Sequence, residues 1–267
     1  MDFSLKTLFD AILVQFTLSG PSVFPKKVLF GGERAGEISS YVAGWMAGKG
    51  IDVIVLDGAN RFDPYMVSYF AKKALIPPEG LLKKIRIARA FTCYQMATLM
   101  GERLPSLLRQ KGATAQPSKP SVILLGPITT FLDEDVPERE VCPLFEKSLK
   151  KVEEMATEGT PFLLFQPTVF YDRNLPLLKG TPPSKARTLA PDGTGGLKGS
   201  KRMYLMKRLF QFSDLVWRIC LEDREPKMVL EKDVDSVIPV QTGIQIHRFL
   251  LSASAGTSLP LQKQRQE

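Results

Sequence analysis

VLFGGERAGEIS, residues 28–39, joins a short apolar run to a glycine-rich turn and then to an amphipathic run. That is the outline of a buried strand, a phosphate-binding loop and a helix start. A complete loop of this kind places Lys and then Ser or Thr after its last glycine. Here Glu37 and Ile38 follow Gly36. Backbone and side chains therefore disagree. Gly31, Gly32 and Gly36 can form a nest of N–H groups at a helix N-terminus, which attracts anions, while Glu37 repels them. The expectation is that Glu37 takes the phosphate's electrostatic place and satisfies those N–H groups itself. Ser39 and Ser40 arrive one and two places late for the hydroxyl that would bind a metal.

Working outward, apolar runs alternate with helical spacing. Ile38, Tyr41, Val42, Trp45 and Met46 recur at helical intervals, and Gly48 and Gly50 end that helix. IDVIVLD (51–57) is a β-branched strand closed by Asp57. Pro64 opens a helix carrying Met66, Tyr69, Phe70 and Ala74, which Pro77 and Pro78 stop. KKIRIARA (83–90) is a short strand, and 91–109 is a helix with Cys93, Ala97, Met100, Leu104 and Leu107 in register, interrupted at Pro105. SVILLG (121–126) and TPFLLFQP (160–167) are buried strands around a helix over 143–156. DLVWRIC and KMVLEK read as hairpin arms with EDREP as their turn. The expected class is α/β, with a mostly parallel sheet covered on both faces and a C-terminal β-hairpin. In such sheets ligands sit beyond the carboxyl ends of the strands. The glycine loop, Asp57, Gly126 and Gln166 all fall there.

The 267 residues, 44% hydrophobic, suit one α/β domain with appendages. The expected organisation is a helical lead-in over 1–24, a core over 25–234 that includes a flexible basic loop at 171–200, and a loosely ordered tail over 235–267. Three scattered cysteines and one His, His247, leave little for a disulfide framework, zinc or His-based catalysis. No metal site and no catalytic residue is assigned. No apolar run reaches the roughly 18–20 residues of a membrane span, so no stable span is expected and the cytoplasm is the expected compartment. The net charge of +8 permits an anionic partner. Its densest source is Lys179, Lys185, Arg187, Lys198, Lys201, Arg202, Lys207 and Arg208, against Asp192 alone. Mobile Gly-rich segments with Lys and Arg suit phosphate backbones; an exposed solvated loop is the plainer alternative.

Several other residues carry two readings. Asp57 and Asp63 either hold a cation or a ribose hydroxyl, or end a strand and cap a helix. Arg86 and Arg89 lie on opposite faces of their strand and serve either nearby acids or a partner. Asp133, Glu134, Asp135, Glu138 and Glu140 form either a metal site or a solvated lead into a helix. Gln166 ends a buried strand either as a structural hydrogen-bonding group or as a switch.

The order of these pieces resembles the ATPase core of the RecA and RadA recombinases and their eukaryotic counterpart, over about residues 25–232. The loop at 31–38 stands where that family has its Walker A loop. VIVLDGANRFDP (53–64) resembles the strand ending in an aspartate and, two places on, the catalytic glutamate. KKIRIARAF (83–91) resembles the family's Ala-Arg-Ala-Phe stretch. SVILLGPITTFL (121–132) stands at the Walker B strand, and FLLFQP (162–167) resembles the strand ending in a nucleotide-sensing glutamine. The resemblance implies a three-layer RecA-like fold, and it places the second DNA-binding loop after Gln166.

The departures fall where catalysis would be. Glu37 replaces the Walker lysine and Ile38 the Mg²⁺-binding hydroxyl. Gly126 replaces the Walker B aspartate, and Ala59 the catalytic glutamate. Phosphate neutralisation, metal ligation and water activation all lose their groups. The implied protein is a RecA-like pseudo-ATPase of DNA repair or recombination, binding DNA, a RecA-like partner or another protein. Gly31, Gly32, Gly36, Glu37, Ile38, Ser39, Asp57 and Gln166 line the loop; ATP with Mg²⁺ is the cofactor it would take if it holds one at all. Two other readings stand beside this one. The first is a Mg²⁺-dependent nucleotide hydrolase with displaced acids. The second is a protein scaffold that does not touch DNA. DSVIPVQTGIQ (235–245) resembles the translation of a repeat element of bacterial genomes, which favours a bacterial source.

Overall fold

The computed structural model describes residues 26–32, 34–112, 119–167, 195–222 and 225–232. The expectations for 1–24, for 171–194 and for 235–267 lie outside them. In chain order the elements are β1 (Lys27–Gly32), α1 (Ala35–Gly48), β2 (Val53–Asp57), α2 (Pro64–Lys73), α3 (Pro78–Leu82) and β3 (Ile85–Arg89). Then come α4 (Cys93–Thr98), a π-turn (Leu99–Arg103), α5 (Leu104–Gly112), β4 (Ser121–Leu125), a 3₁₀ turn (Thr129–Leu132) and α6 (Glu138–Thr157). β5 (Phe162–Pro167), α7 (Gly195–Phe212), β6 (Leu215–Glu222) and β7 (Glu225–Lys232) complete the series.

The strands form one sheet in the order β3-β2-β4-β5-β1-β6-β7. Every neighbouring pair is parallel except the β6–β7 hairpin, which is antiparallel. Side chains two apart on a strand share a face, and the apolar runs use both faces. Val28, Phe30, Val55 and Phe165 pack with α1 and α2, and the Phe30 and Phe165 rings stack at 4.9 Å. Leu29, Leu56, Leu124 and Leu164 pack with α4, α5, α6 and α7. A strand buried on both sides has no polar alternation, which is why these runs look uniformly apolar. The result is an α/β fold, consistent with the three-layer RecA-like arrangement, with the expected hairpin at its edge.

Several element details differ from the sequence reading. α6 begins at Glu138, and Pro143 lies inside it. Glu138 and Glu140 favour the first turn electrostatically. The buried face of α2 is Val67, Phe70 and Ala71, with Tyr69 outside. Pro78 opens α3 at N1 as well as following α2. The break near Pro105 is a π-turn: proline cannot donate to the carbonyl of residue 101, and the preceding turn widens. Met96, one place from the expected Ala97, takes the buried position. The loop read over 171–200 ends sooner, because α7 already runs from Gly195.

Candidate functional site

The carboxyl ends of β1, β2, β4 and β5 meet as expected, but the glycine loop does not open into a nest. β1 continues through Gly31 and Gly32, which sit in register with Gln166 and Pro167 of β5 and with Arg218 and Ile219 of β6. Gly32 has φ +132°, and a Cβ there would lie 2.0 Å from the Ile219 carbonyl oxygen. Its glycine therefore serves close strand approach. Only positions 33 and 34 separate β1 from α1. Arg34 is left-handed, at φ 63°, and its carbonyl accepts the Ile38 N–H. Gly36 is already helical, packed on Arg61.

Glu37 does not take the phosphate's place. Its carboxylate accepts Arg34 Nε at 3.0 Å and Nη2 at 2.7 Å, as a half-exposed surface pair. The helix start has no side-chain cap. Ile38 is fully buried in the core. The Ser39 and Ser40 hydroxyls both donate back to the Gly36 carbonyl, and Ser40 Oγ also accepts the Asp63 N–H at 2.9 Å. Ser40 thus ties α1 to the start of α2.

Asp57 is fully buried. Its carboxylate accepts the N–H groups of Arg61 at 3.1 Å and Phe62 at 3.0 Å, and Arg89 Nε stands 3.5 Å away. Register sets this pair, since Asp57 lies opposite Arg89 across β2 and β3. Asp63 caps α2 by accepting the Tyr65 N–H at 2.8 Å. Both aspartates thus take the structural roles set beside the ligand roles above.

Ala59 and Gly126, the positions matched to the catalytic glutamate and the Walker B aspartate, do converge. Gly126 has φ +65°, and a Cβ built there would meet Ala59 Cβ and Thr129 Oγ1, each at 2.6 Å. Gly126 N–H donates to Phe165 O at 2.7 Å, and Gly58 N–H donates to Leu125 O at 2.8 Å. The two turns are held together at the positions that the resemblance matches to those two acids. Gln166 is fully buried. Its Oε1 accepts the Ile128 N–H and its Nε2 donates to the Pro167 carbonyl, both at a long 3.4 Å. Thr129 Oγ1 and Thr130 Oγ1 are buried without a hydrogen-bond partner. Sequence reasoning passed over them, since threonines at a turn carry no spacing signal.

The basic set divides. Lys179, Lys185 and Arg187 lie outside the described residues, and Lys198 falls in the first turn of α7. Lys201 Nζ donates to the carbonyls of Asp133 and Val136, the second at 3.1 Å, and so holds the acidic loop. Arg208 grips Glu146 of α6 through Nε at 2.6 Å and Nη2 at 2.7 Å, and the Tyr204 hydroxyl donates to the same carboxylate at 2.8 Å. Chiefly through its bonds from Arg208, the Glu146 carboxyl is held below the usual carboxylate range. The same contact raises Arg208. Lys201 and Arg208 are therefore fastening groups, whereas Lys207 is exposed. Among the acids, Asp133 accepts the Asp135 N–H, and Glu140 accepts from Tyr94. No group of three or more His, Cys, Asp or Glu among the described residues is placed to hold a metal.

No protein-family model and no curated protein matches this chain. Among the described residues no helix is long and apolar enough to cross a membrane.

Proposed function

We propose that this chain is a RecA-like pseudo-ATPase of the bacterial cytoplasm, a binding accessory in DNA repair or recombination that holds DNA or a partner ATPase. One observation carries the non-catalytic part. Gly126 has no room for a side chain, so the place for a metal-orienting carboxylate is filled by Ala59 and Thr129. The Arg34–Glu37 pair and the strand-bound Gly31 and Gly32 support the same reading. The binding part rests on the family resemblance and on Lys207, with the basic residues ahead of α7. A partner has a second place to dock: β3 is an edge strand, with Ile87 exposed on it and Phe91 exposed just beyond.

The test is a titration of the full chain with fluorescent ATP and ADP, with and without Mg²⁺, beside a titration with single-stranded DNA at low and high salt. No saturable nucleotide binding up to about millimolar, with salt-sensitive DNA binding, is the expected result. Mg²⁺-dependent nucleotide binding in the micromolar range would overturn the pseudo-ATPase reading. Absence of DNA binding at low salt would sink the DNA branch and leave the partner protein.

A further inference from the structure

At the end of the sheet away from the glycine loop, α2 terminates in an unusual way. Ile76 N–H donates to Ala71 O at 2.9 Å and Leu75 N–H to Lys72 O at 3.3 Å, the bond pair of a Schellman motif. Its left-handed position is normally glycine or asparagine. Here it is Leu75, at φ 55° and 93% exposed. Leucine is unfavourable there twice over, once for its backbone and once for its apolar surface in water. Among the described residues it is Ile76, next in the chain, that packs inward against the first core layer.

The surroundings define what Leu75 suits. Tyr69, Lys72 and Lys73 share the outward face of the last turns of α2. Lys73 Nζ lies 4.7 Å from the centre of the Tyr69 ring. The end of α1 closes on the same place: Ile76 Cδ1 lies 3.6 Å from where a Cβ of Gly48 would be, and Lys49 follows directly. Lys84 Nζ reaches the Gly50 carbonyl at 3.3 Å, which brings a further lysine to the end of α1. The nearby acids are Asp52, beside Lys84, and Glu79. The patch is thus an aliphatic tip, a tyrosine and an excess of lysines.

We propose that this face is a peripheral docking surface for an anionic lipid bilayer, with Leu75 as the inserted tip. Lys49, Lys72 and Lys73 are the headgroup contacts. Charge complementarity selects an anionic surface. The apolar tip selects lipid over nucleic acid, because leucine has no group for a phosphate. Convexity selects lipid over protein: one projecting side chain needs a matching pocket in a protein of ordinary interface size, whereas a bilayer yields anywhere. Tyrosine at headgroup level is an interfacial habit, and the Lys73 ammonium over the Tyr69 ring holds a cation beside it.

The test is co-sedimentation of the full chain with phosphatidylcholine vesicles, with and without about one-third phosphatidylglycerol, at low and high salt. Leu75→Asn and Leu75→Gly suit the left-handed backbone, so both variants fold. Binding that requires the anionic lipid, weakens with salt, and falls about tenfold in either variant is the expected result. Combined Lys72→Gln and Lys73→Gln should lower it comparably. Three results would overturn the proposal: vesicle binding unchanged by these substitutions, equal binding to neutral vesicles, or no vesicle binding at all. DNA binding that falls with the same variants, without vesicle binding, would reassign the patch to nucleic acid.

Discussion

Arg89 Nε lies 3.5 Å from a fully buried oxygen of Asp57, directly across the β2–β3 pairing. The carboxylate also holds the N–H groups of Arg61 and Phe62, so one side chain fastens an edge strand and the turn leading into α2. Asp57→Ala strands the buried N–H of Phe62 and the part-buried N–H of Arg61, and removes the charge facing Arg89. It should cost about 3 kcal/mol, measured by denaturant unfolding. Asp57→Asn keeps one acceptor and should cost less. Equal stability of Asp57→Ala and wild type would show that this carboxylate holds nothing.

Placing an acid at position 126, which the resemblance matches to the Walker B aspartate, should fail. Gly126→Asp meets Ala59 and Thr129 at 2.6 Å in a left-handed backbone. A loss of about 2–4 kcal/mol is expected, with no gain in Mg²⁺ or nucleotide binding by calorimetry. A stable variant that binds Mg²⁺ would show that the two turns part easily.

The Glu146–Arg208 pair makes a pH prediction. The Glu146 carboxyl is lowered in the fold, so its stabilisation is present above the ordinary carboxylate pKa and is lost as pH falls through the lowered value. Both side chains are about one-third exposed, so solvent screening limits the pair to about 1 kcal/mol. Glu146→Gln should be less stable than wild type near neutrality, and the gap in Tm should close in acid. A gap independent of pH would sink the assignment.

Basic residues of one stretch should separate into two classes. Lys201→Gln frees the carbonyls of Asp133 and Val136 and should lower stability with little change in the salt slope of DNA binding. Lys207→Gln should leave Tm unchanged and reduce that slope by about 0.7 if it meets one phosphate of a single strand. Identical behaviour of the two variants would refute the division.

Leu75→Gly should stabilise the fold by about 1 kcal/mol by removing left-handed strain at the end of α2. A melting temperature at or below wild type would show that Leu75 contributes to packing.

Most of the layer plan was legible because burial on both sheet faces leaves uniform apolar runs, as in VIVLD and FLLFQ. Asp63 before Pro64 announced a helix cap, and Glu222 and Glu225 fall at the hairpin turn where the polar run EDREP lay. The π-turn before Pro105 was half legible: a proline announces a break, but the missing bond can be absorbed in more than one way.

The meeting of the strand ends was legible, whereas the local roles of the glycines and of Glu37 were not. Gly31, Gly32 and Gly36 look alike in sequence, since glycine permits a nest, a tight strand contact or a packed helix equally well. Only the approach of β6 shows that Gly32 serves the strand contact, and only Arg61 shows that Gly36 serves helix packing. Glu37 was free in sequence to cap the helix or to pair. Arg34 in a left-handed turn settles it, because it carries its guanidinium back over the carboxylate. The same limit applies to Lys201, Arg208 and Asp57, whose charges were plain but whose partners Asp133, Glu146 and Arg89 lie far away in the chain. Apolar periodicity is a local property, so the sequence by itself determined the strands, most of the helices and the two-sided sheet. Ion pairing and the closing of turns join distant segments at distances of a few ångströms, and those only the tertiary structure decided.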